Sequence, residues 1–119
     1  MLIPPVIDAH HNFWDPDSRE YPWMGEAFAP VRRHFGPDEL LPELSLEHMT
    51  GSVLVQTLPS TEETAELLAI AAAVPFIHGV VGWVDLTADD VAARIARLRA
   101  GPGGELLVGV RHRVMDEPD

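Results

Sequence analysis

The stretch Ile7-Asp8-Ala9-His10-His11-Asn12-Phe13-Trp14-Asp15 decides how this chain is read. A short apolar run, Ile3 to Ile7, leads into it and has the composition of a strand. The polar residues that follow therefore sit at a strand's carboxyl end. Open α/β sheets and β/α barrels keep their chemistry at that end. Working outward, the first strand is expected over residues 3–9, and further strand-like runs cover 52–58, 77–85 and 106–110. The second and third are nearly all apolar or β-branched, which marks strands buried on both faces of a parallel sheet.

Helical patterns alternate with these runs. Ser60-Thr61-Glu62-Glu63 has the spacing of a capping box. The helix it opens carries Leu67, Leu68, Ile70 and Ala71 and is limited by Pro75. Thr87-Ala88-Asp89-Asp90 repeats the device, and Val91, Ile95 and Leu98 then form one apolar stripe. Gly101-Pro102-Gly103-Gly104 stops that helix. A weaker helical stretch covers 38–49, interrupted at Pro42 and closed by Gly51. The order is strand, long loop, then helix and strand in turn, which predicts an α/β fold of parallel strands with right-handed helical crossovers. The whole of 1–119 reads as one incomplete domain, because the alternation stops at Asp119 before any such architecture closes.

Bulk properties exclude several functions. With 119 residues, 46% of them hydrophobic, the chain suffices for one domain with a core. There is no Cys, hence no thiol nucleophile or thiolate metal ligand. All eight basic residues are Arg, so no lysine Schiff base or carboxylated-lysine metal bridge forms within this segment. A net charge of −11 offers no basic footprint for nucleic acid or for an anionic membrane. The start, Met-Leu-Ile-Pro-Pro, is not a signal peptide, and no apolar run approaches a membrane span. A soluble cytoplasmic protein is expected.

Residues 12–37 form a long irregular connection with six aromatics: Phe13, Trp14, Tyr21, Trp23, Phe28 and Phe35. Loops this long are uncommon and are often functional. The cluster either walls a pocket or supports the loop, and the two readings are compatible.

Candidate chemistry gathers at the strand ends. His10 and Asn12, two apart in an extended segment, point to one side, where they can hold a divalent ion, although Asn is a weak ligand. His10 is alternatively a general base or a structural histidine. His11 takes the other side and is expected to pack or to hydrogen-bond within the structure, while Asp8 can orient a neighbour. Gln56, an amide inside an apolar strand, must be hydrogen-bonded or face a pocket. Trp83 and Asp85 end the third strand, and Asp85 is suited to satisfying turn amides. Arg111 and Arg113 share one side after the fourth strand, with His112 on the other. Arg111 is favoured as the pocket residue because its fork fits a carboxylate, a phosphate or an enolate-like oxygen; surface ion pairing is the alternative. His78, early in its strand, reads as structural. No phosphate loop or nucleophile elbow is present.

Asp8-Ala9-His10-His11-Asn12-Phe13-Trp14-Asp15, Val55-Gln56, the run from Gly79 to Leu86, and Val108-Gly109-Val110-Arg111-His112 through Asp119 resemble the amidohydrolase-related family, in its sugar-lactone and dicarboxylate-lactone hydrolase branch. The resemblance covers essentially the whole chain. It implies the N-terminal half, about four β/α units, of a TIM-barrel hydrolase acting on a lactone or similar cyclic ester. It implies one divalent metal, zinc or manganese, at a His-x-His whose first member corresponds to His10. Asn12 departs from the second. It implies substrate contacts from Gln56, Arg111, Trp14 and Trp83. The later catalytic histidine and aspartate of the family have no counterpart in this chain, so the chain alone is expected to be inactive. The expected partners are a lactone or carboxylate and either a second copy or a complementing C-terminal half. A non-catalytic α/β binding domain and one half of an assembled enzyme are the alternatives.

Overall fold

The computed structural model describes residues 4–118. Its strands are β1 (Ile7–His11), β2 (Gly51–Val55), β3 (Ile77–Gly82) and β4 (Leu107–Val110). Its helices are α1 (Pro37–Leu46), α2 (Thr61–Ala73) and α3 (Val91–Ala100). The strands lie in the order β1-β2-β3-β4, all parallel. A β/α alternation with every neighbour in sequence order is the opening portion of a β/α barrel. The expected α/β class, parallel pairing and helical crossovers are all present.

One face of the sheet is finished. Leu54, Val80 and Leu107 stand side by side in register and are buried. Leu67, Leu68 and Ala71 of α2 cover them, and Phe13 and Ile77 complete the cluster. Two glycines allow this approach. A Cβ on Gly82 would lie 2.4 Å from Thr64 Cγ2 of α2. Gly103, at φ +69°, sits so close to α2 that a Cβ would lie 2.2 Å from the Leu68 carbonyl oxygen. The other face is only partly covered. Val53 pairs with Gly79, whose missing side chain would meet Val108, and Val108 is 64% exposed.

The strands begin and end where hydrogen-bond supply changes. Ile3 lies outside the described residues. Pro4 and Pro5 have no N–H to donate to a ladder, so β1 starts only at Ile7 and takes in His10 and His11 rather than ending at Ala9. The second strand stops at Val55, short of the expected Leu58. The amides of Thr57 and Leu58 are taken by the Glu63 carboxylate of α2, at 2.9 and 3.0 Å. The third stops at Gly82, short of Asp85, because Trp83 N–H donates to Thr64 Oγ1 at 2.8 Å.

Ser60 caps α2 by accepting from Glu63 N–H at 3.1 Å, which is half of the expected capping box. The Glu63 side chain has gone to the strand end instead. The expected cap at Thr87 does not form. Asp85 Oδ1 accepts from Thr87 N and Oγ1, at 3.0 and 2.6 Å, and holds Thr87 in the turn. Helix α3 therefore starts at Val91, with Asp90 at its N-terminus bonded to Arg94 at 2.7 Å. Pro42 lies inside α1, which runs through it. Among the described residues no helix is long and apolar enough to cross a membrane.

Candidate functional site

The carboxyl ends of the strands carry the polar side chains, as in other parallel α/β folds. The best-built element there is Arg111. Its Nε donates to Gln56 Oε1 at 2.7 Å and its Nη2 to the Gln56 carbonyl at 3.0 Å. Gln56 is 1% exposed, and its Nε2 donates onward to the Leu58 carbonyl at 3.0 Å. Both Gln56 alternatives thus hold: its side-chain oxygen and nitrogen are each hydrogen-bonded, and the residue also lines a cavity. Two of the five guanidinium N–H groups are committed to Gln56, which leaves the others for a ligand. Partial burial first, then the neighbouring Arg113, lower the Arg111 pKa, while Asp116 and Glu63 raise it. An arginine remains charged through such shifts.

Two cavities open here. One, of about 410 Å³, is lined by Asn12, Trp14, Trp23, Phe28, Arg111 and Arg113 among others. The second, of about 470 Å³, is lined by Trp23, Gln56, Thr57, Trp83, His112 and Arg113 among others. Trp23, Thr57 and Arg113 line both. Of the anticipated substrate residues, Trp14 and Arg111 therefore meet in one cavity and Gln56 and Trp83 in the other. Of the shared wall, Trp23 was anticipated only as one of six loop aromatics and Arg113 only as a neighbour of Arg111, while Thr57 was not singled out by sequence. Arg113 carried the signal, since it shares an alternation side with Arg111.

The aromatic loop does both jobs proposed for it. Trp14 and Phe35 form an isolated antiparallel bridge, and Trp14 Nε1 donates to the Val31 carbonyl at 3.0 Å. Trp14–Trp23, Trp14–Phe35 and Trp23–Phe28 meet edge-on with centroids 5.4–5.6 Å apart. The same rings present Trp14, Trp23 and Phe28 to the cavity. On the far side, Trp83 Nε1 donates to His112 Nδ1 at 2.9 Å. An indole nitrogen only donates, so His112 carries its proton on Nε2, which lies 2.5 Å from Glu117 Oε1.

The β1 end is partly distorted. Asp8 pairs with Ser52 but His11 with Leu54, so three steps along β1 match two along β2. This bulge is closed by Asp8, whose Oδ1 accepts from His10 N–H at 3.0 Å. His10 is exposed, Asn12 half-buried, and His11 and Phe13 between and beyond them are buried, so the expected division into two sides is kept. His11 packs on Phe13 with centroids 4.7 Å apart. Neither of its ring nitrogens has a partner of hydrogen-bond geometry, so it is packed but not bonded. Burial lowers its pKa to about 4, against smaller raising influences from Asp8 and the Val53 backbone. Asn12 Nδ2 donates to the Val55 carbonyl at 2.8 Å, which leaves Oδ1 as its donor atom for a ligand.

His10 lines neither of the two cavities. Together with Asn12 it offers two donors, and a bound zinc takes three or four protein ligands. Among the described residues no group of three or more His, Asp or Glu could hold a metal. These residues alone do not fit a resident metal ion. Asp85 serves its turn, and His78 packs over Gly51 at the opposite end of the strands.

Comparison with known proteins places this geometry. The family model described as amidohydrolase matches residues 7–119. L-fucono-1,5-lactonases of Burkholderia ambifaria and Burkholderia multivorans are 39% and 38% identical over 113 residues, or 95% of this chain. The chain spans only 38% and 37% of those relatives. A crystal structure of a Burkholderia multivorans amidohydrolase with bound zinc superposes with a TM-score of 0.88 at 37% identity, covering 98% of this chain and 39% of that one. An amidohydrolase 2 from Bifidobacterium longum subsp. infantis, 21% identical with a TM-score of 0.56, shares the fold over 81% of this chain and 48% of its own. On the family match and on the placement of its polar residues at the strand ends, this chain belongs to the amidohydrolase family.

Proposed function

We propose that these residues form the opening β/α units and part of the substrate pocket of a sugar-lactone hydrolase. The observation that carries this reading is Arg111, anchored by Gln56 and opening with Asn12, Trp14 and Arg113 onto one cavity. A guanidinium so held can bind a sugar hydroxyl or carboxylate, or polarise the ring carbonyl of a lactone as negative charge develops on it. Aromatic walls suit the apolar faces of a sugar ring. The likeness to L-fucono-1,5-lactonases supports a deoxysugar 1,5-lactone as substrate.

Water activation requires groups that these residues do not bring together. In this reading they come from further β/α units that close the barrel against the free edges of β1 and β4 and bury the Val108 face. Those units, in this polypeptide or another, are also the proposed source of the remaining donors for a divalent metal, to which His10 and Asn12 contribute. Zinc in the similar Burkholderia multivorans amidohydrolase supports that assignment.

The test is hydrolysis of L-fucono-1,5-lactone followed by acid release, beside equilibrium binding of the open-chain acid it yields. The 119-residue chain is expected to bind the acid without turnover. Arg111→Ala is expected to weaken binding at least about tenfold, the cost of losing a charge-assisted hydrogen bond. Equal binding by Arg111→Ala would refute the reading. Turnover by the chain alone would show that the catalytic groups are already present here.

A further inference from the structure

The buried carboxylate of Glu63 has no role in the reading above. It is 2% exposed and lies in the first turn of α2; it lines neither the Arg111 nor the Trp83 cavity but a third, of about 170 Å³, between the aromatic loop and α2. Among the described residues no arginine or histidine is bonded to it, and its hydrogen-bond partners lie just past the end of β2. Oε1 accepts from the amides of Thr57 and Leu58, at 2.9 and 3.0 Å, and Oε2 accepts from the Thr57 hydroxyl. A carboxylate buried on such partners alone is costly unless the geometry it enforces is needed.

What it enforces is the turn Gln56-Thr57-Leu58. That turn places Thr57 in the wall shared by both cavities. It also presents the Leu58 carbonyl that receives Gln56 Nε2, and Gln56 in turn receives two donors of Arg111. The links are continuous: Glu63 to the Leu58 amide, Leu58 carbonyl to the Gln56 amide, Gln56 oxygens to the Arg111 fork. Each is a hydrogen bond of 2.7–3.0 Å.

We propose that Glu63 is the positioning residue for Arg111, acting from α2 through the Gln56–Leu58 turn. It touches no ligand. Its function is to keep the guanidinium aimed into the cavity before ligand arrives, so that little ordering is left to be done on binding. The importance of this aim rests on the proposed substrate role of Arg111, but the aim itself is measurable without any ligand.

The experiment is 15N–1H NMR of the arginine Nε–H groups in the purified protein. Arg111 Nε–H is bonded to Gln56, and Arg94 Nε–H, bonded to Asp90 on α3, is the internal control. Glu63→Ala is expected to speed solvent exchange of Arg111 Nε–H about tenfold, the equivalent of one hydrogen bond, and to leave Arg94 unchanged. Glu63→Gln keeps an oxygen for the two amides and is expected to preserve most of the protection. A folded Glu63→Ala whose Arg111 Nε–H exchanges as in the parent overturns the proposal. So does one in which Arg94 loosens equally, since that is general loss of stability. If Glu63→Ala does not fold, Glu63→Asp draws the carboxylate back from the Thr57 and Leu58 amides by one methylene. Faster Arg111 Nε–H exchange there, with Arg94 unchanged, supports the positioning role, and unchanged Arg111 exchange with the Thr57 and Leu58 amides released overturns it. Binding of the sugar acid, followed in parallel by tryptophan fluorescence, separates the two ideas. An acid that fails to bind while Arg111 responds to Glu63 sinks the substrate reading and leaves the positioning role standing.

Discussion

The two faces of the same four strands behave as different materials. On the α2 side, Leu54, Val80 and Leu107 are buried against Leu67, Leu68 and Ala71. On the other side Val108 is 64% exposed, and the Val53–Gly79 pair beside it has no covering element among the described residues. The difference teaches that these residues are held together chiefly by the helix-covered layer. The opposite face is apolar in sequence but only partly covered, with Val53 and Val81 half-buried and Val55 buried at its upper end. The functional side chains stand on the boundary between the two, at the strand ends, fixed from the finished side by Glu63 and Thr64.

The largest expected effect breaks the finished face. Leu54→Ala should cost about 3 kcal/mol, the range for a fully packed core leucine, measured by denaturant unfolding. A cost under about 1 kcal/mol would mean that this layer is loosely packed in solution.

The next effect is acid sensitivity from His11, which lies on the buried side of β1. Its pKa is about 4 in the fold against 6.5 in the unfolded chain. Between those values the unfolded chain binds more protons, so stability rises with pH. The contribution is complete above about pH 6.5 and is lost progressively toward pH 4, roughly 2–3 kcal/mol in all. His11→Leu should flatten the unfolding free energy across that window, since it has no proton to take. An unchanged slope in the variant would show that His11 does not carry the acid sensitivity in that window.

Gly103→Ala comes third, at about 2 kcal/mol, because an alanine there must adopt a left-handed conformation and displace α2. Thermal unfolding measures it. The smallest effect sharpens the contrast. Val108→Ala should change stability by less than about 0.5 kcal/mol in the 119-residue chain, as for an exposed site. In a complete barrel the same substitution should cost markedly more. A large cost in the short chain would show that a second copy already covers this face.

Much of this was legible in the sequence because it rests on local rules. Strand number, parallel pairing, the Ser60 cap, the glycine stop after α3 and the separation of His10 from His11 follow from periodicity and capping chemistry, and the barrel-like strand order from the family resemblance. The aromatic loop was visible as six rings in one irregular stretch. What stayed hidden depends on partners distant in sequence. The bulge between Asp8 and His11 exists only relative to β2. Glu63 looked like a capping-box residue, and only the folded chain shows its carboxylate given to Thr57 and Leu58. Thr87 lost its expected capping role to Asp85, two residues before it. Thr57 entered the cavity wall through the turn that Glu63 holds, which alternation alone does not show.

The most direct test of the central claim, that the Arg111 cavity recognises a sugar lactone or its acid, is chemical-shift mapping of a titration with L-fuconate. The account predicts saturable shifts at Arg111 Nε–H, at the Asn12 side-chain amide and at the Trp14 and Trp23 indoles, with α3 undisturbed. Saturable shifts confined to another surface, or none at all, would contradict it.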